Sequence, residues 1–399
     1  MLTGARKWIL IVSLLALNIV EQAASAISGA IPQMAQSFPQ QSQVQIELVT
    51  TVVSVFVTIF VLVSGFISNK IGQKQTAILG LLIASVSSII PAFATNFTVV
   101  MVSRAVLGIG IGLANPLAIS LIGEFFEGDT LANLMGWRSA IAGIGVSLMT
   151  LAAGYLLQIS WHAAYLVYLL FIPTLILFIF FVPEPEKFNL NKEQAKNDDL
   201  GDEKGGSRLG VVLLAIVLFL FFTLAMVMMV KLATMYVEEK IGTPTQASTV
   251  LSILGFAQLI GGALFGTVYK FLHAKILPLG ILIGGIGTVI IGTASTNGLV
   301  IIAAIVSGVC SGMAIPYIFT KVSDLSTTKS APLNNAIVLV GSNLGSFLAP
   351  YTGSFLGASA ASAITNAGYL TIGLAILVAL YMAIQYRNDT HPKAFHSGN

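Results

Sequence analysis

Long apolar runs separated by short polar breaks dominate the chain. Runs of about 20 residues, enough to cross roughly 30 Å of hydrocarbon as a helix, occur at 8–31, 47–67, 76–94, 98–121, 133–157 and 163–182. A second set occurs at 209–235, 247–269, 276–295, 298–320, 332–357 and 363–386. Each run is predicted to be helical, because a backbone facing lipid has to satisfy its own hydrogen bonds. Between the sets, Pro183, Pro185 and a dense mix of Lys, Glu and Asp mark a solvated linker. The predicted fold class is an all-α polytopic membrane protein. Residues 1–182 form an N-terminal six-helix bundle, 183–208 a cytoplasmic linker, and 209–399 a C-terminal six-helix bundle with a short tail.

The two sets are copies of one pattern. Gly108, Gly112 and Pro116 recur as Gly308, Gly312 and Pro316, each at an offset of 200 residues, and Gly145 recurs as Gly345. The ends of Gly65–Lys74 meet Gly266–Lys275 at an offset of 201. Parallel repeats of this kind build many secondary transporters, with the binding site between pseudo-twofold-related halves.

Composition agrees with a bilayer: 56% of residues are hydrophobic and only 9% charged, too few for a water-exposed surface of this size. The net charge of +3 matters less than its placement. Lys and Arg gather at the ends and loops that an inward N-terminus assigns to the cytoplasm, among them Arg6, Lys7, Lys70, Lys74, Arg138, Lys275, Lys321 and Arg387. Outward loops at 32–46, 95–97, 158–162 and 296–297 carry none; only Lys231 and Lys240 depart from the rule. Both termini are therefore expected in the cytoplasm of a multi-pass plasma-membrane protein, with a bacterial cell as the expected setting.

Several chemistries are set aside. The four histidines fall in loops or the tail without ligand spacing, no phosphate-cradling Gly-Lys-Ser/Thr loop is present, and no basic aromatic surface suits nucleic acid. No cofactor or metal is expected. Neither is an enzyme, since no nucleophile and base accompany the buried charges. Cys310, the single cysteine, is a small core residue with no internal disulfide partner.

Charges inside spans carry the chemistry. Glu21 lies ~20 Å from the cytoplasmic end of the first helix at ~1.5 Å per residue, where a carboxylate faces a cavity or a partner. Asn18, Gln22, Ser25 and Gly29 share one helix face with it, forming a polar stripe expected to line the path between the halves. Arg104 enters from the outer side of the fourth helix at ~9 Å depth, against ~14 Å for Glu21 from that end. Two roles stay open: pairing with Glu21, or bracing helix packing through backbone carbonyls. At the repeat offset Glu21 meets Phe221 or Phe222 and Arg104 meets Ala304, so coupling chemistry is expected in the first half.

Other positions divide between two readings each. Lys231, near the outer end of the seventh helix, either snorkels to the interface or serves as a gate or anion contact facing the first half. Met226, with Met228, Met229 and Met235, fits ordinary core packing or an adaptable substrate wall. Gln258 and Asn343 are polar groups for substrate or for bonds between helices.

Two motifs carry a family resemblance. Arg104-Ala-Val-Leu-Gly108-Ile-Gly110-Ile-Gly112 resembles the fourth-helix motif of the major facilitator superfamily, and Gly65-Phe-Ile-Ser-Asn69-Lys70-Ile-Gly72-Gln-Lys74 resembles its loop between helices two and three. The resemblance spans essentially the whole chain and points to the twelve-helix drug:proton antiporter branch, where the arginine takes part in proton handling. Asn69 and Lys70 stand where the family usually has aspartate and arginine, so the expected charge relay needs another acid; Glu124 or Asp129 is the candidate. Gly143 to Gly154 supplies the fifth-helix glycines without their usual proline, while Pro350 appears in the eleventh helix. Gly65, Asn69, Lys70, Gly72, Lys74, Glu124, Gly145 and Pro350 are thus the expected conformational residues.

The functional expectation is a proton-coupled secondary transporter, exporting amphipathic or lipophilic organic compounds by alternating access and working as a monomer. Its partners are a small-molecule substrate, protons and the lipid bilayer. Glu21 and Arg104 are the expected coupling residues and also belong to the expected substrate site, together with Asn18, Gln22, Ser25, Met226, Lys231, Gln258 and Asn343. One rival is an importer or exchanger of an amphipathic organic anion, with Arg104 and Lys231 as its charge complement. Another is a transport-dead receptor or passive channel.

Overall fold

The computed structural model describes residues 4–126, 128–185, 208–326 and 330–390; the linker expected at 183–208 lies mostly outside them. Among the described residues the regular structure is helical throughout. Nine helical stretches are long and apolar enough to cross a membrane, or ten when one bent pair counts as a single span. One of the nine, Pro244–Thr293, holds two helices, Pro244–Leu272 and Ile276–Thr293. A further 26-residue helix, Ala331–Leu356, is more polar because it carries Asn334, Asn335, Ser342 and Asn343. Together these are consistent with six spans and six spans.

The repeat is physical as well as sequential. In the first half the second span, Gln43–Ile71, packs on the fourth, Phe97–Phe125; in the second half the eighth, Pro244–Leu272, packs on the tenth, Asn297–Asp324. A Cβ on Gly108 would stand 2.5 Å from the Val53 carbonyl oxygen, and one on Gly312 would stand 2.3 Å from that of Gln258. Small residues are what let two backbones come this close in a bilayer. Gly145 packs on Ile19 and Gly345 on Phe219, so the same offset of 200 relates both members of each contact. Even the caps repeat: Ser42 with Gln45, and Thr243 with Gln246, each form a reciprocal capping box.

The first span departs from the pattern. Its expected outline, 8–31, is too short: the helix Ala5–Gln22 breaks into 3-10 turns at Ala23–Ser25 and Ser28–Ala30, then resumes as Ile31–Ser37. The two segments, Arg6–Val20 and Ala23–Ser37, are bent by 47°. The loop expected at 32–46 therefore shrinks to the stretch between Ser37 and Gln43. Pro32 fits within the first turn of the short helix, where its missing N–H costs no intrahelical bond, so a proline that reads as a stop starts a helix instead.

The largest described contacts between the halves are those of the second span with the eleventh and the fifth with the eighth; the later part of the first span also meets the seventh and eighth, and the second span meets the seventh. Both ends of the described chain lie at one end of the bundle; the opposite end, reached by the second span at Gln43 and the seventh at Glu238, is called distal below. Four hydrogen bonds between the halves sit in the distal part. Thr245 Oγ donates to the Gly154 carbonyl at 2.7 Å, and Ser252 Oγ to the Ser147 carbonyl at 2.7 Å. Gly154 faces Ser248, so this fifth-to-eighth seam is lined by small residues, which packs it tightly.

Candidate functional site

The strongest electrostatic feature is an ion pair that joins the halves. Lys231 Nζ, on the seventh span, donates to Glu47 Oε1, on the second, at 2.9 Å. Glu47 is fully buried and Lys231 is 6% exposed. Glu47 projects from the second turn of its helix, and Gln43, one turn earlier, donates both to Glu47 Oε1 at 3.0 Å and to Thr234 Oγ at 3.4 Å. Gly353 of the eleventh span supplies the room: a Cβ there would meet Lys231 Cε at 2.5 Å. Three spans thus converge on one buried charge pair. Lys231 is thus buried and paired across the halves.

Glu47 was not singled out in the sequence reading. It sits at the margin of an apolar run, where a carboxylate reads as an interfacial residue. The signal was a carboxylate and a lysine on opposite halves at matching distal depth, legible only once both helix ends are fixed.

Arg104 is the second feature. It is fully buried, and all its described bonds go to neutral groups: Nε donates to the Val49 carbonyl at 2.9 Å, one terminal nitrogen to Tyr168 Oη at 3.2 Å, and the other to the Ala24 carbonyl. Tyr168 Oη in turn donates to the Ala23 carbonyl at 2.9 Å. The guanidinium lies 5.5 Å from the Tyr168 ring centre and 5.9 Å from that of Tyr165. Arg104 and Tyr168 therefore hold the carbonyls at the break in the first span, where that of Ala23 also accepts the Ala26 N–H at 3.1 Å in a 3-10 turn and that of Ala24 accepts from Arg104, as a lipid-embedded break requires. These bonds are of the bracing kind, and they leave pairing with Glu21 open. Glu21, the other expected partner, is the last but one residue of the helix, two and three residues before Ala23 and Ala24; the side chains of Glu21 and Gln22 lie outside the described residues.

The remaining polar stripe divides. Asn18 is fully buried; its amide donates to the Leu14 and Leu15 carbonyls of its own helix, each at 3.2 Å, and its Oδ1 has no hydrogen-bond partner among the described residues. Ser25 is partly buried, and its carbonyl accepts from Ser28 Oγ at 2.8 Å. Met226 packs at the seam, touching both the N-terminal core and the cluster around Leu224 and Ala349, while Met228 and Met235 are buried core. Gln258 lends its backbone to the close approach of Gly312, and Asn343 is half-buried on the eleventh span.

At the end near the termini, Gly72 turns the chain between the second and third spans at φ 94°, the left-handed region that suits glycine; His273 takes φ 47° at the matching turn. An acid that reaches this loop is Glu184, after the sixth span. Its Oε1 accepts from the Lys74 backbone N–H at 3.4 Å, and Gln75 donates to its other oxygen. A carboxylate at a helix N-terminus is well placed for the helix dipole. Asn69 and Lys70 are exposed, and Gly65 is open to its surroundings. Glu124 is half-buried at the end of the fourth span and engaged in contacts of its own; the side chain of Asp129 lies outside the described residues. Gly145 packs on Ile19 within its own half, and Pro350 is buried inside the eleventh helix. Between the first and fifth spans, Trp8 and Trp137 stack at 6.4 Å over a cleft of about 190 Å³ that also includes Lys7 and Asn133.

Comparison with known proteins agrees with this geometry. Over 212 residues the chain is 25% identical to the quinolone resistance protein NorA of Staphylococcus aureus strain MSSA476, covering 52% of this chain and 51% of NorA. Over 90 residues it is 30% identical to the bacillibactin exporter of Bacillus subtilis strain 168, covering 21% of this chain and 22% of that one. The alignments span about half the length, or less, of these relatives. In fold, it matches the inward open conformation of the xylose transporter XylE from E. coli with a TM-score of 0.74 at 16% identity, covering 94% of this chain and 95% of that one. It matches the peptide transporter POT in complex with sulfate with a TM-score of 0.76 at 12% identity, covering 94% of each. The profile of the Major Facilitator Superfamily matches residues 13–240 and again 213–398, once for each half. A polytopic helical chain built from two such halves, meeting in a buried ion pair, belongs to the major facilitator superfamily of membrane transporters.

Proposed function

We propose that this transporter exports amphipathic organic compounds in exchange for protons, by rocking the bundle of residues 1–182 against that of 209–399 around the linker at 183–208. The observation that carries the reading is the buried Glu47–Lys231 pair. An ion pair that spans two halves of a repeat can hold one end of the molecule shut, yet has to be broken for that end to open. Such an element has two states and responds to charge. The arrangement of Lys and Arg along the loops puts both termini in the cytoplasm. The distal end then faces outward, and the structure corresponds to an outward-closed state. Similarity to NorA and to the bacillibactin exporter favours efflux.

In this reading Glu21 takes the transported proton. It lies in the last turn of the helix just before the break whose carbonyls Arg104 and Tyr168 hold, so a change of charge at Glu21 acts on the hinge of the first span. Gln22, Ser25, Met226 and Asn343 face the substrate. The protein works as a monomer in the plasma membrane of a bacterial cell. An organic-anion carrier is the weaker reading, because it calls on Arg104 and Lys231 as charge complements and both are already engaged.

The test is transport driven by a pH gradient in proteoliposomes, using a lipophilic cation and an amphipathic anion, with Glu21→Gln beside the unmodified protein. Cation movement that follows the gradient and is lost in Glu21→Gln, with exchange retained, supports the reading. An equal gradient response in both proteins moves the coupling site elsewhere. Counterflow adds a check, since a carrier shows trans-acceleration and a channel or receptor does not.

A further inference from the structure

Glu47 has one oxygen to spare. Oε1 takes both described bonds, from Lys231 and Gln43, while Oε2 is buried with no hydrogen-bond partner among the described residues. One turn along the same helix face, the hydroxyl of Thr51 is also fully buried without a partner. This is unusual for a helical threonine, whose hydroxyl ordinarily bonds back to a carbonyl one turn earlier. Here the Glu47 carbonyl is taken by Thr50, at 2.8 Å. A buried carboxylate oxygen and a buried hydroxyl therefore stand at i and i+4, the spacing at which helix side chains meet.

We infer that Glu47 is a second proton-binding site, with Thr51 as the acceptor that receives its proton, and that protonation there unlocks the distal gate. The step balances: hydronium at the distal face gives one proton to Glu47 Oε2, its O–H bond breaking as the carboxyl O–H forms and leaving water, and the new O–H donates to Thr51 Oγ. The carboxyl becomes neutral, so the Lys231 ammonium loses its counter-charge while still enclosed. A buried unpaired ammonium is strongly unfavourable, and the favourable response is for the second and seventh spans to part and let water reach Lys231. Deprotonation restores the pair and closes the gate.

Few charged groups surround Glu47. Lys231 is the cation on the seventh span. Glu238, further along that span, is the other carboxylate within electrostatic reach, and it is occupied in accepting the Ala360 N–H at 3.0 Å. On the fourth span the facing charge is Arg104, tied to the second helix through Val49. The eleventh span presents Gly353. Gln43 and Thr234 bridge the halves without titrating. The site is also within reach of water, since the exposed cap Ser42 is only ~7.5 Å along the helix from Glu47 at ~1.5 Å per residue.

This inference deepens the proton-coupled reading, and its test separates the two. Spin labels on Gln40 and Ser295, in the distal loops of the two halves, report gate opening as a distance across pH in lipid nanodiscs, with Cys310→Ser as background. In the unmodified protein a longer distance should grow in as pH falls. Glu47→Gln, which fixes the neutral state, should show the long distance at every pH. Thr51→Val should keep the switch and lower its midpoint by about 0.7 pH unit, equivalent to a hydrogen bond of about 1 kcal/mol; Thr51→Ser should restore it. Should Glu47→Gln fail to fold, the Thr51 midpoint decides alone. A distance that ignores pH, a Glu47→Gln protein that titrates like the unmodified one, or a Thr51→Val midpoint that does not fall overturns the inference. If gradient-driven transport persists while the distance does not follow Glu47, this inference falls and the coupled reading stands. If no gradient drives transport but the distance does follow Glu47, the coupled reading falls and this site remains.

Discussion

Replacing Gly353 by alanine tests whether the Glu47–Lys231 pair holds the distal end closed. The new Cβ would stand 2.5 Å from Lys231 Cε, 3.4 Å from its Cδ and 3.4 Å from Val227 Cγ1. Carbon atoms settle at about 3.5–4.0 Å, so the lysine stem has to retreat by about 1 Å. If the ammonium follows, the separation from Glu47 grows from 2.9 Å to about 3.9 Å, beyond hydrogen-bond range. At an effective dielectric of about 20, that costs about 1.5 kcal/mol of attraction, close to a tenfold shift toward the distally open state. The helix-propensity gain of alanine over glycine, up to about 1 kcal/mol, is common to both states and drops out of the gate equilibrium. The assay is labelling of a single cysteine at Thr234, with Cys310→Ser as background, by a membrane-impermeant maleimide added to cells. The labelling rate should rise about tenfold. A rate within about twofold of the reference, with melting unchanged, refutes the view that this pair sets the equilibrium.

Three other outcomes follow from separate contacts. Tyr168→Phe removes the hydroxyl shared by Arg104 and the Ala23 carbonyl; it should lower stability by about 1–3 kcal/mol, read as a drop in the melting temperature in detergent. Gly312→Ala places a Cβ 2.3 Å from a backbone oxygen and should cost about 1–3 kcal/mol, whereas Gly284→Ala meets only Ser311 Cβ at 3.4 Å and should be tolerated. Thermal unfolding of the pair checks that contrast. Glu184→Gln keeps the shape but removes the charge at the start of the third span; it should destabilise the protein by about 0.3–1 kcal/mol, an effect that shrinks in high salt.

The sequence determined a good deal by itself. Hydrophobic length and the Gly-Pro offset of 200 were enough for helical spans in two related halves, because a bilayer leaves a backbone few ways to satisfy its hydrogen bonds. Motif spacing around Arg104 and Gly72 was enough for the superfamily. Arg104 was legible as important, since a guanidinium within a span needs partners. What those partners are was not: the carbonyls of Ala23 and Ala24 become available only because the first span breaks, and nothing in its alanine-rich sequence marks that break.

Charge pairing was decided by tertiary structure alone. Glu47 and Lys231 are 184 residues apart, and at its end of an apolar run each reads as an ordinary interfacial residue. Glu184 is 110 residues from the amide it receives, on a stretch that reads as linker. Periodicity along a helix fixes which residues share a face, but not which face of another helix it will meet. That depends on how close two backbones can approach, and here Gly353, Gly108 and Gly312 set those distances.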